Sequence, residues 1–512
     1  MRAPSHRSRA DHLRATRALV TSFGLTVVAG GLPHCAGETV ARGEVLVVVD
    51  TDVDVPRLVS TLRLDVWREG RWIDSRETPV RDARRLPMSF GAFSSAEDRP
   101  SRAILRLRAY GDGAVVDAPA EPRLVVDGAD RTPRREPDPA LAIDELVSVT
   151  VVPGEKRRVR IVLFGACAGS AADVVAGETC LAPDGQRGAV PEAVDDRETS
   201  SSLGATLAGT FGKGGRAPSD APRPASPPDD GGEAWIPGGA FVLGSRDLAA
   251  NRAWGGVDVK STPPRVVVVS SLWMDRFEVS VGRFRRALAR GFRPPTSPQG
   301  NDAALPSKLE GAGDLERFCT FSASDRSRDA YPLTCVTFDT ARAFCAFEGG
   351  DLPTEAEWEY AATAALRPVK TPYPWGEGSP GCAGATFAHT SLPDLERSEC
   401  SREGAPVGPS AVGVSARDVT PVDGDAGGVR DLGGNVAEWT REVYRDYDAP
   451  CWRAATQRDP TCVDDGEARR VTRGGAFTEE LAGAHGALRK PALASLPFAG
   501  IGFRCVRRRG PS

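Results

Sequence analysis

The sequence predicts two ordered units of different class, a small all-β sandwich followed by a loop-rich α+β domain. Three observations predict this. Between Glu44 and Phe164, short runs alternate apolar and polar residues with period two, as in sheets with one dry and one wet face. Between Pro332 and Trp375, two stretches instead repeat at helical spacing and carry start and stop signals. The 55 Gly and 41 Pro spread through 512 residues leave much of the rest as loop.

Residues 1–35 read as an export leader. Arg2, Arg7, Arg9, Arg14 and Arg17 form a basic start, and Ala18 to Leu32 is apolar but too short and Gly-rich for a comfortable membrane span. Leu32-Pro33-His34-Cys35 resembles a lipoprotein cleavage box with an atypical Pro and His. Cys35 is therefore either a lipid anchor or part of a leader lost on secretion. The expected location is the periplasm, the outer membrane or the exterior, with membrane contact only through that anchor. A net charge of −4 with the signs interspersed offers no basic stripe for nucleic acid. Cysteine usage agrees with export, since ten cysteines remain beyond Cys35. Proximity pairs Cys167–Cys180, Cys319–Cys335, Cys382–Cys400 and Cys451–Cys462, leaving Cys345 and Cys505. Metal thiolates are the alternative, without any CxxC spacing to support them.

The β unit is expected over 40–181. Val45 to Val49 is a continuous apolar run. Leu62, Leu64 and Val66 alternate with Arg63, Asp65 and Trp67, and Leu105, Leu107 and Ala109 alternate with Arg106, Arg108 and Tyr110. Val159, Ile161 and Leu163 repeat the theme, and Gly70, Gly111-Asp112-Gly113 and Pro153-Gly154 supply turns. An antiparallel sandwich follows, with its arginines read as a solvated sheet surface and no chemistry identified. Residues 182–233 are poor in large apolar side chains and cannot offset their ordering entropy, so they read as a disordered linker.

The α+β unit is expected over 234–508. It opens with Trp235 to Gly244, followed by Val266–Val269 and Trp273–Ser280. Ser280 caps a helix burying Phe284 and Leu288 and ending at Gly291. A second helix, Asp339 to Glu348, buries Ala341, Phe344 and Cys345 and stops at Gly349-Gly350. A third opens with a capping box between Thr354 and Glu357, behind Pro353. Pro372-Tyr373-Pro374-Trp375-Gly376 is a rigid aromatic turn. Farther on, Asp431-Leu432-Gly433-Gly434-Asn435-Val436-Ala437-Glu438 brackets two glycines with carboxylates. Such an all-oxygen set suits calcium, the alternative being that both carboxylates cap backbone amides.

Leu352 to Glu359, Tyr373 to Gly376, Gly434 to Thr440, Arg473-Gly474-Gly475 and Gly502-Phe503-Arg504 occur in the order found in the formylglycine-generating enzyme (sulfatase-modifying factor) family, which this half of the chain resembles. The resemblance implies a C-type-lectin-like fold and a disulfide between Cys345 and Cys505. It places calcium on the Asp431 and Glu438 side chains and the Gly434 and Val436 carbonyls. The family's enzymes oxidise a sulfatase cysteine with copper held by two cysteines shortly after Arg-Gly-Gly, thiolates that select Cu(I). Here Arg473 to Arg489 contains no cysteine, so no copper and no catalytic residue is expected. A related iron-dependent sulfoxide-synthase branch needs a histidine cluster on an added helical domain. Of five histidines only His389 and His485 lie beyond the leader, and no such domain is evident. His485, Arg473 and Arg489 are the candidate cleft residues. The expectation is an exported, non-oxidase binding or scaffold module holding a peptide, a glycan or an envelope protein. The alternatives are an enzyme of altered chemistry, as in siderophore-maturation relatives, or a true oxidase.

Overall fold

The structure, a computed structural model, describes residues 43–508 except 94–98, 120, 182–185, 196–204, 212–231, 246–259, 297–317, 368, 390–399, 401–403, 405–406, 423–424, 456 and 464–465. The leader with Cys35 lies outside the described residues.

Two sheets enclose one core in the first unit. One has three strands, in the order Lys156–Leu163, Glu44–Thr51, Met88–Phe93. The other has four, in the order Ile143–Val151, Ser101–Tyr110, Thr61–Arg68, Arg71–Pro79. Val45, Val47 and Val49 meet Leu105, Leu107, Val147 and Val149 in a single buried cluster. The pairing is not wholly antiparallel as expected. Glu44–Thr51 runs parallel to Lys156–Leu163, with Val47 opposite Val159. These strands are far apart in sequence, so no hairpin turn sets their direction and packing decides it.

The arginine face also differs from expectation. Arg63 and Arg108 are buried rather than solvated, because a ribbon formed by Val115–Asp117 and Arg135–Pro137 approaches them and Glu136 and Asp65 accept their hydrogen bonds.

The expected linker is partly ordered. Gln186–Ala189 pairs with Glu178–Leu181. Thr206 Oγ1 and Leu207 N donate to the buried Asp50 carboxylate at 2.7 and 3.0 Å, while Phe211 packs on the core. A buried carboxylate needing donors and one aromatic ring suffice to dock this polar stretch. Residues 212–231 of the linker are not among those described.

The second unit is mostly β with few helices. Its C-terminal strand, Val506–Arg508, returns to pair with Leu272–Asp275, which pairs with Glu233–Ile236. A four-stranded sheet follows the order Lys490–Leu493, Arg469–Arg473, Ala437–Val443, Ile501–Gly502. The helices form where their caps are written. Ser280 accepts from Arg283 N ahead of Val281–Ala289, and Thr337 accepts from Thr340 N ahead of Phe338–Phe347. Thr354 and Glu357 complete both halves of the capping box ahead of Glu355–Thr363. Gly349 ends the middle helix at φ +82°, a left-handed turn that a side chain would oppose. Disulfides join Cys167–Cys180, Cys319–Cys335, Cys345–Cys505, Cys382–Cys400 and Cys451–Cys462. The two units touch: Ala240 and Val268 enter the first unit's core cluster, and Gln457 Nε2 donates to Gly165 O at 3.1 Å.

Candidate functional site

The loop bracketed by Asp431 and Glu438 folds around two left-handed residues, Asp431 and Asn435, types that tolerate this region better than most. Gly434 has no alternative, because a Cβ there would lie 2.6 Å from the Thr386 carbonyl oxygen. Asn435 ties the loop down. Its amide donates to Glu278 Oε1 at 3.0 Å, its side-chain oxygen accepts from Ser410 N at 2.9 Å, and its backbone bonds to Thr386 and Phe477.

Four buried carboxylates gather around one cation. Arg504, fully buried, donates to both oxygens of Glu438 at 2.6–2.9 Å, and Trp358 Nε1 adds a bond to Glu438 at 2.8 Å. The rest of the guanidinium goes to the carbonyls of Asp275, Arg276, Arg430 and Asp431. Asp431, Asp418 and Glu278 complete the group. Asp431 accepts from Gly413 N and Asp418 from Gly433 N. Each of these three keeps one buried oxygen without a hydrogen-bond donor, namely Asp431 Oδ1, Asp418 Oδ1 and Glu278 Oε2.

Burial, reinforced by the Asp431 charge, pushes the Asp418 carboxyl up to about 8 and lifts Glu278 well above the carboxylate range. Burial raises Asp431 too. Arg504, with Arg430 near enough to favour the charged form of Asp431, does not balance four carboxylates in a medium of low dielectric, so the cluster favours either protons or a further cation. Among the described residues no three His, Cys, Asp or Glu side chains are closed into a metal-binding group. Of the two carboxylates expected to hold calcium, Glu438 is committed to Arg504 and Trp358, while Asp431 retains a free oxygen. Sequence reasoning missed Glu278 and Asp418, which reach the loop from outside its own segment.

Arg473 and Arg489 do not line a cleft. Both are fully buried and brace the third helix from below. Arg473 pairs with Glu359 and donates to Gly486 O at 2.8 Å, and Arg489 donates to Glu355 Oε1 at 2.6 Å and Arg445 O at 2.7 Å. The Arg489 guanidinium also lies 4.1 Å from the Tyr447 ring centroid. These arginines sit opposite helix glutamates whose spacing of four puts both on one face. The spacing of the glutamates is legible in the sequence, but that Arg473 and Arg489 meet them across 114 and 134 residues is not.

His485 is only half-buried. Its ring meets Tyr373 edge-on at 5.7 Å, and Tyr373 stacks on Trp375 at 4.9 Å. His389 is buried, and burial lowers its pKa while the Cys382 backbone opposes the shift. Within the Arg473–Arg489 segment, Phe477 packs against Phe318 at 5.4 Å and Glu479 pairs with Lys490.

Fold and site together define a disulfide-tied, loop-rich α+β domain built around buried carboxylates, with no thiol pair in its Arg473–Arg489 segment. Residues 219–509 match the family described as the sulfatase-modifying factor enzyme 1-like domain, and the chain belongs to that family. It is 28% identical over 276 residues to a hercynine oxygenase of Mycolicibacterium smegmatis, covering 50% of this chain and 56% of that protein. It is 33% identical over 150 residues to the inactive C-alpha-formylglycine-generating enzyme 2 of Bos taurus, covering 29% and 45%. With the formylglycine-generating enzyme of Thermomonospora curvata it shares 29% over 278 residues, covering 47% and 81%. The chain thus spans about half the length of the first two of these relatives.

Proposed function

We propose that this protein is an exported binding or scaffold module, with the C-type-lectin-like frame of its family and without the family's oxidase site. The observation that carries the reading is the fate of the thiols. All ten cysteines from Cys167 to Cys505 are taken up in five disulfides, and none lies between Cys462 and Cys505. No thiolate pair is left there to select Cu(I). An inactive relative bearing the same domain supports the reading. The ligand-facing surface is then the aromatic group of Tyr373, Trp375 and His485, which suits a peptide, a glycan or an envelope protein, with Arg473 and Arg489 holding its base. Copper-loaded protein, given a Cys-x-Pro-x-Arg peptide and O₂, is expected to yield no aldehyde by mass spectrometry. Turnover above a metal-only blank would overturn the reading.

Calcium belongs to the same proposal. The orphaned oxygens of Asp431, Asp418 and Glu278 are hard donors of the kind this ion takes, in a group that carries excess negative charge, though they are not closed into one shell. Asp431 would hold it, with the Gly434 and Val436 carbonyls beside it, and the ion would neutralise the cluster. Linkage then stabilises the fold by about 2.7 kcal/mol at a hundredfold excess over Kd. The melting temperature of the full chain should rise with calcium and fall with chelator, and Asp431→Asn should erase most of the response. A melt indifferent to both would leave the carboxylates as protonated caps.

A further inference from the structure

The first unit has a cavity of its own, lined by none of the residues described above for the second unit. On the four-stranded sheet, strand alternation sends Leu62, Leu64 and Val66 toward the core and Arg63, Asp65 and Trp67 to the opposite face. A cavity of about 210 Å³ opens on that opposite face. One part of its lining is aromatic: Trp67 and Trp72, opposite each other in register, stack with centroids 5.8 Å apart and 7° between planes.

Another part of the lining is a buried ionic lattice. Arg63 donates to Asp65 Oδ1 at 3.2 Å and Glu136 Oε1 at 3.0 Å, and Arg108 bridges the same two carboxylates. Arg106 grips Asp144 with two bonds of 2.9 and 2.7 Å. Arg63 also lies 3.9 Å from Glu77, so three guanidinium groups meet four carboxylates, and along the cavity lining itself Arg106 and Arg108 face Asp65, Glu136 and Asp144. Two buried donors on cavity-lining residues, Trp67 Nε1 and Arg108 Nε, have no acceptor. Trp67 is 9% exposed and Arg108 4%. Both atoms are closed off from the cavity as well as from water, so a ligand would meet the other polar atoms of the lining.

We propose that this cavity binds a neutral saccharide. A sugar ring has an apolar C–H face that rests on indole, and a rim of hydroxyls that both donate and accept, as a lattice of guanidinium and carboxylate groups requires. The excess of carboxylates along the lining gives an anionic sugar no advantage over a neutral one. The volume lies below the roughly 300–1,000 Å³ typical of pockets for drug-sized ligands, leaving room for about one ring, a terminal or side-branch sugar. A proline-rich peptide also docks on aromatic side chains, but it carries few polar groups to meet the lattice.

The test is retention of the full chain on an array of immobilised neutral glycans, acidic glycans and a proline-rich peptide, with far-UV circular dichroism on every variant. Neutral glycans should retain the parent protein. Retention should be lost in Trp72→Ala and weakened in Arg106→Gln, which keeps both indoles and so serves if the first variant loses structure. Val175→Ser, exposed and outside both the cavity lining and the Tyr373, Trp375 and His485 surface, should bind as the parent does. The proposal is overturned if no neutral glycan is retained, if only acidic glycans or the peptide are, or if retention survives both sheet variants. Loss in Val175→Ser as well would mean that retention does not depend on the cavity and would overturn it equally.

Discussion

Arg504→Met will destabilise the sulfatase-modifying-factor domain by about 3–5 kcal/mol, the range for removing one partner of a buried ion pair. The guanidinium makes its bonds to Glu438 and to four backbone carbonyls with no exposure to water, so its loss strands a charge and several acceptors together. The loss should also depend on pH. Burial already holds Asp418 up to about 8 with Arg504 present, so the stability that this group contributes is full below about 4 and is lost as pH rises through 8. Without the neighbouring cation the folded pKa rises further, and the variant's deficit should be larger at pH 8 than at pH 5. Denaturant melts at both values check this. The double variant Arg504→Met/Glu438→Gln should recover part of the loss, because it removes the stranded charge as well. A deficit under about 1 kcal/mol at pH 8 would mean that the cluster is solvated, and the charge argument fails.

Removing the disulfide between Cys345 and Cys505 by a double substitution to Ala should be the next largest effect. It joins residues 160 positions apart, and the chain-entropy relation gives about 5 kcal/mol for a loop of that size. Both half-cystines are buried in the cluster around Phe344 and Phe503, so alanine keeps the site apolar and isolates the effect of the cross-link. The Cys382–Cys400 bridge, with a separation of 18, should cost only about 3 kcal/mol by the same relation. Non-reducing peptide mapping with denaturant melts would check both the pairing and the order. If the short bridge proves the more costly, loop length is not what sets these contributions.

Much of this chain's local structure was legible because its causes are local. The capping box at Thr354 and Glu357, the stop at Gly349 and the Ser280 cap each involve groups within a few residues of one another. The four short disulfides join neighbours in sequence, and their proximity was enough to pair them. The pairing of Cys345 with Cys505 came from resemblance to a family, not from spacing.

The site was only partly legible, for the opposite reason. Asp431 and Glu438 bracket one segment, but whether each faces a cation or an arginine depends on Arg504, which arrives from between the strands Ile501–Gly502 and Val506–Arg508. Glu278 lies 153 residues before Asp431, and no pattern in either segment announces that they meet. Likewise Arg63, Asp65 and Arg108 look like the wet half of an amphipathic sheet until a ribbon from residues 115–137 comes to lie against them. The sequence by itself determined the caps, turns, short cross-links and absent thiol pair of this protein, since these follow from residue types at short separation. The tertiary structure alone decided which charges are buried together, because burial depends on long-range contacts between segments that carry no mark of one another.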